Sequence, residues 1–215
     1  MRPFFGKDSQ LVHLNVSNNE ISTISTGAFS NLIHLQVLEL HMNHLKTIGA
    51  YVFYEIPELL HLDLRGNHLQ IITAESFSSP FKNLPKLKVL ILMQQQSPYQ
   101  TTYVMHNAFK NLPALEDLWL NDNLLTNFPH PALSQSSSPL PSLLYLHLEN
   151  NAITSLSSFT SSEFSPLLED LHAAQQSVHK PFERITTLQR LFLHNNEISS
   201  VQEEDLWMLD NVQQL

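Results

Sequence analysis

One eleven-residue frame, Leu-x-x-Leu-x-Leu-x-x-Asn-x-Leu, returns along almost the whole chain and constrains its folding more than any other feature. Clear copies are Leu11-Leu14-Val16-Asn19-Ile21, Leu35-Leu38-Leu40-Asn43-Leu45 and Leu59-Leu62-Leu64-Asn67-Leu69. Further copies are Leu115-Leu118-Leu120-Asn123-Leu125, Leu143-Leu146-Leu148-Asn151-Ile153 and Leu188-Leu191-Leu193-Asn196-Ile198. Two are degenerate: Leu87-Leu90-Leu92-Gln95-Ser97 and Leu168-Leu171-Ala173-Gln176-Val178. A ninth starts at Val212 and stops at Leu215, and the successive spacings are 24, 24, 28, 28, 28, 25, 20 and 24 residues. Within each frame, triplets such as Leu38-Glu39-Leu40 alternate apolar and polar with period two, which predicts a short strand with leucines inward. A lone strand cannot bury its leucine face. Stacked in parallel, successive frames bury it jointly, and the product is a solenoid with a binding surface.

Two further columns obey the same register. The asparagines at the ninth frame position are expected to turn inward and bond the unpaired backbone of the turns, which marks them as structural. Gln95 and Gln176 stand on that rung with one methylene more, so those two repeats are expected to be irregular. Six residues before a frame stands Phe29, Phe53, Phe81, Phe109 or Phe182, with Leu206 in that place near the end, forming a core column under the convex side. The organisation expected is residues 1–10 as the tail of a preceding repeat, 11–211 as eight repeats, and 212–215 as the start of another. Repeats left open at both ends expose apolar faces, so marginal stability or self-association is expected.

Composition narrows the function. No run of about 18 apolar residues exists to span a membrane, and the first residues lack a secretory leader's apolar stretch. With no cysteine there is no disulfide, thiol chemistry or cysteine-bound zinc, a composition that leans towards a reducing compartment. A net charge of −9 argues against constitutive nucleic-acid binding. No nucleophile elbow, zinc-protease helix or phosphate loop is present and the chain holds only four glycines, so an enzyme is not expected and no cofactor is implied.

Frame positions three, five and seven are expected to face solvent on the sheet. Ile91, Met93, Trp119 and Tyr145, on three successive frames, then form an apolar-aromatic patch of the kind that anchors partners, with His147 beside it. Six of the twelve histidines occupy outward positions, among them His41, His61, His147, His172 and His194, interleaved with Glu39, Asp63, Asp117, Glu149 and Asp170. Protonating all twelve adds 12 to −9 and gives +3, so these five histidines are candidate pH sensors for binding an anionic ligand. Solvated polar strand residues explain His41, His61 and Asp63 better than a metal site does, and no metal is expected.

Three stretches break the period. The frame at 87 runs into Gln94-Gln95-Gln96-Ser97-Pro98-Tyr99-Gln100-Thr101-Thr102-Tyr103, where Pro98 forbids regular continuation. The frame at 115 runs into Pro129-His130-Pro131 and a serine-rich segment, and the frame at 168 is shortened. Insertions in solenoids map to loops that often carry binding, which makes Tyr99 and Tyr103 candidate contacts. Asn15-Val16-Ser17 is a glycosylation sequon at Asn15 that would fence off the first strands.

The frame, joined to Ala28-Phe29-Ser30-Asn31-Leu32 and Ala108-Phe109-Lys110-Asn111-Leu112, resembles the "typical" leucine-rich-repeat subfamily of animal extracellular proteins. The resemblance implies an α/β solenoid, a curved arc with a parallel sheet on the concave face and irregular or short-helical convex segments. Within that subfamily the chain looks most like part of a Toll-like-receptor ectodomain. Such ectodomains sit at the cell surface or in endosomes, bind a protein or a microbial or endogenous ligand, and form homo- or heterodimers. Adhesion and guidance proteins share the repeat and imply a solenoid holding a protein partner. A cytoplasmic scaffold is the third reading, favoured by the missing cysteines.

Overall fold

The computed structural model describes residues 6, 8–72, 84–95, 103–104, 108–109, 112–129, 140–156, 187–206 and 209–215. Each described frame contributes one three-residue strand, and the first three are β1 (His13–Asn15), β2 (Val37–Glu39) and β3 (His61–Asp63). β5 (Val89–Ile91), β7 (Asp117–Trp119), β8 (Tyr145–His147) and β9 (Arg190–Phe192) continue the series. These seven strands form one parallel sheet in the order β1-β2-β3-β5-β7-β8-β9. The same frame position pairs with itself at every step: Leu14, Leu38, Leu62, Leu90, Leu118, Leu146 and Leu191 run in line across the sheet. Arg190 also bridges Gln214 in parallel, third position to third position, so the frame at 212 joins the same register.

Alternation sets the core. Leu35, Leu38, Leu40, Leu59, Leu62, Leu64, Leu115, Leu118 and Leu120 are at most 1% exposed, each contributing about 1.5–3 kcal/mol of burial. Phe29, Phe53 and Phe109 are buried on the other side, with Phe29 and Phe53 stacked 6.2 Å apart. Phe81 and Phe182 lie outside the described residues. Leu206, at the end of a short 3-10 helix over Glu203–Leu206, is 37% exposed, so the buried column does not extend to it. That helix is the one helical element among the described residues, and the described convex segments are otherwise turns.

The asparagine column is a hydrogen-bonded ladder. Asn67 Nδ2 donates to Leu40 O of the previous rung and Leu64 O of its own, while its Oδ1 accepts from Leu45 N. Asn43, Asn123, Asn151 and Asn196 repeat the pattern. Gln95 takes the role despite its extra methylene: Nε2 donates to Leu64 O at 2.9 Å and Oε1 accepts from Leu69 N at 3.1 Å. The irregularity expected at Gln95 shows within its own rung, where Nε2 donates to Met93 O and not to the Leu92 O that the asparagine pattern would use. Asn123 Oδ1 receives Gln95 N, as Asn151 Oδ1 receives Asn123 N one rung on. Gln176 lies outside the described residues.

Immediately before this column the backbone turns left-handed on every described rung, at Asn18, Met42, Gly66, Gln94, Asp122, Asn150 and Asn195, with φ between 52° and 61°. Glycine, asparagine and aspartate tolerate that region, and Met42 holds it under strain. At Gly66 a Cβ would also meet Met42 Sδ at 2.3 Å.

One neighbour relation departs from expectation. The frame at 168, outside the described residues, was expected to supply a rung between those at 143 and 188, yet β8 pairs directly with β9. Ile153 N accordingly bonds Asn196 Oδ1 across 43 residues of chain. A second parallel pair, β4 (Ile71–Ile72) with β6 (Tyr103–Val104), stands apart from the main sheet.

Candidate binding face

Positions three, five and seven line one face of the sheet in three rows. These residues are mostly half-buried, because identical positions on in-register strands lie about 4.8 Å apart and large side chains cover their neighbours. Full solvation, the expectation from alternation, fails most clearly at Asp63 and Asn121, which are 4% and 5% exposed.

Over β1–β3 the polar groups pair with one another. His13 Nε2 lies 3.1 Å from Glu39 Oε1, and Asn15 Nδ2 donates to Glu39 Oε2. Asp63 is held by Arg65 Nε at 3.2 Å and His41 Nδ1 at 3.3 Å, and its Oδ1 accepts from Arg65 N. His41 Nδ1 is thus beside a buried carboxylate without a hydrogen bond to it, whereas His61 sits in row three between Val37 and Val89. Asn15 is exposed on β1, with Ser17 N and Oγ both donating to its Oδ1. Among the described residues no group of three histidine, aspartate or glutamate side chains is placed to hold a metal ion.

Over β5–β9 the face changes character. Row five runs Ile91, Trp119, His147, Phe192 on directly paired strands. The Trp119 and His147 rings stack at 3.7 Å, and His147 and Phe192 at 4.5 Å, giving a continuous ladder. Tyr145 lies beside it in row three, with the Arg190 guanidinium 5.5 Å from its ring centre. Met93 is half-buried in row seven, and Trp119 and Tyr145 keep partial exposure. The patch read from sequence is therefore brought together, with His147 inside it.

Phe192 was missed. It stands on an outward position, but the frame at 168 separates it from His147 in sequence, and only the direct β8–β9 pairing closes the gap. Tyr103, 56% exposed, belongs to β6 in the separate two-stranded sheet, so it does not share the face. Tyr99 and His172 lie outside the described residues. His194 is exposed at the row-seven end of β9's rung.

Acidic groups frame the ladder. Asp117 Oδ1 lies 3.3 Å from His147 Nε2, and Glu149 Oε1 lies 3.6 Å from His147 Nδ1. Both contacts are within ion-pair reach, but neither is aligned as a hydrogen bond. Asp117 Oδ1, Trp119 Nε1, Asn121 Oδ1 and Glu149 Oε2 are buried without a hydrogen-bond partner among the described residues. An unmet buried polar group costs about 1–3 kcal/mol, and four fall on these two neighbouring rungs, against His41 Nδ1 alone over β1–β3 among the described residues.

Comparison with known proteins agrees with this architecture. Residues 9–69 match the leucine rich repeat family model. Among solved structures, human 5T4 (Wnt-activated inhibitory factor 1, trophoblast glycoprotein) superposes with a TM-score of 0.70 at 24% identity, over 94% of this chain and 66% of that one. Internalin C2 of Listeria monocytogenes gives 0.61 at 21% identity, over 95% of this chain and 70% of that one. No curated protein matches in sequence. The chain thus spans just under two thirds of the 5T4 structure, and both likenesses concern the fold. No helix among the described residues is long and apolar enough to cross a membrane. Frame, register and superposition converge on one architecture: residues 9–69 match the leucine rich repeat family model, and the described strands stack as a parallel solenoid with the leucine-rich-repeat fold.

Proposed function

We propose that the chain is a recognition module of an extracellular or cell-surface receptor, gripping a protein partner with the β5–β9 half of its concave face. The observation that carries this is the Trp119–His147–Phe192 stack, partly exposed and bordered by unmet polar atoms. Rigid aromatic rings ringed by polar groups are what interface anchors are made of. Ile91, Met93, Trp119, Tyr145 and His147 are the contact residues of this reading, joined by Phe192, with dimerisation and an innate-immune role of the Toll-like kind as its most specific form. Screening a panel of recombinant extracellular domains against the chain and its Trp119→Ala variant tests it. Ligands lost with Trp119→Ala but kept by a convex-side variant support the reading; ligands indifferent to Trp119 overturn it.

The second reading is a surface glycoprotein with an adhesive or regulatory role, favoured by the likeness to 5T4, itself named a glycoprotein. The full transcript separates the two. A secretory leader with a Toll/interleukin-receptor domain points to the receptor, and matrix modules or a lipid anchor to the adhesive protein.

A further inference from the structure

Resting on that reading of the face, we infer that the β7–β8 rungs take a basic side chain of the partner, an arginine above all, between the aromatic ladder and the Asp117–Glu149 carboxylates. The argument is a count of donors. Asp117 and Glu149 only accept, and Asn121 Oδ1 accepts; all three carry a buried oxygen with no hydrogen-bond donor among the described residues. Among the described residues His147 is the one side chain within ion-pair reach of both carboxylates, through Nε2 to Asp117 and Nδ1 to Glu149. A neutral imidazole owns a single N–H, so in either tautomer one carboxylate goes without. Asn121 has spent its own amide on Asp122 Oδ2 and is 5% exposed, with its carbonyl unanswered on the rung beside Glu149. Trp119 Nε1, the unmet donor on these rungs, is one neutral N–H against three open oxygens, so what the oxygens lack is several N–H donors on one positive group.

A guanidinium supplies five donors in a plane, binds carboxylates in a fork and stacks on aromatic rings. The chain already shows such an arrangement next door, where Arg190 lies over Tyr145. Asp117 is paired to no lysine or arginine among the described residues, and neither is Glu149, unlike Asp63 with Arg65 at the other end of the face. The net charge of −9 draws a basic partner to the surface. Glu149 carries its carboxylate on a flexible stem, and a rotamer change on docking turns Oε2 outward, a common adjustment at interfaces.

The probes are a tetra-arginine peptide and its tetra-citrulline counterpart, which keeps shape and loses charge. Each is titrated into the whole chain while the Trp119 indole N–H resonance is followed by NMR. The arginine peptide is expected to shift that resonance saturably and the citrulline peptide to leave it unmoved. Glu149→Gln and, independently, Asp117→Asn should each weaken arginine binding at least tenfold. Glu197→Gln, the same charge change at an exposed position away from the ladder, should change it less than twofold. Equal binding of the two peptides, no binding of either, or equal losses from Glu149→Gln and Glu197→Gln would overturn the inference. If the arginine contrast fails while panel ligands still depend on Trp119, the basic-side-chain inference falls and the binding-face reading stands. Ligands indifferent to Trp119 remove the latter instead.

Discussion

The two ends of the concave face are built on the same rungs and finished differently. Over β1–β3, Glu39 and Asp63 are each enclosed by partners from their own or a neighbouring rung. Over β7–β9, partly exposed rings stack on one another while Asp117, Asn121 and Glu149 keep oxygens unanswered. A buried polar group gains little net energy when bonded but costs substantially when orphaned. The carboxylates of the first end are met within the face, where His41 Nδ1 is the unmet polar atom among the described residues, while those of the second end keep oxygens open. The outward rows of one repeat thus differ in how far their donors and acceptors balance.

The largest expected effect probes what the two ends share. Asn67→Ala, beneath the polar end, and Asn123→Ala, beneath the aromatic end, each orphan buried amide and carbonyl groups. Each should lower stability by about 2–4 kcal/mol in urea unfolding. Near-equal losses would place the contrast on the surface alone; a gap above roughly 2 kcal/mol would mean the scaffold itself differs.

Next comes the division of labour. Trp119→Ala should reduce affinity for any concave-face ligand at least tenfold, about 1.4 kcal/mol. Asp63→Asn should leave that affinity unchanged while costing about 1–2 kcal/mol of stability, as the ion pair with Arg65 is lost but Arg65 N keeps an acceptor. Binding titrations beside denaturant curves check both, and an Asp63→Asn variant that loses ligand would erase the comparison.

The smallest effect is a gain. Met42 occupies the left-handed position that asparagine fills at Asn18, Asn150 and Asn195, so Met42→Asn should raise stability by about 0.5–1 kcal/mol at most. Its side chain is 49% exposed, so little burial is forfeited. A fall in melting temperature would show that the contact with Gly66 outweighs the strain.

Much of this was legible before any coordinates. The sheet, its parallel register, the asparagine ladder and the outward rows all follow from local alternation and a repeated interval. Trp119 and Tyr145 could be named as neighbours because their frames are consecutive and intact. Phe192 could not be placed, because its contact with His147 depends on which frames stack. The left-handed row, spread over asparagine, aspartate, glycine, glutamine and methionine, was hidden by its own diversity.

The amino-acid sequence by itself determined the repeat, its inward leucines and its turn-binding asparagines, since each needs only a period and a side chain's polarity. Tertiary structure decided which rungs adjoin, which carboxylates find a donor, and hence which end of the face is left open. Those outcomes depend on distances between side chains far apart along the chain, and a few tenths of an ångström there separate a satisfied hydrogen bond from an orphan.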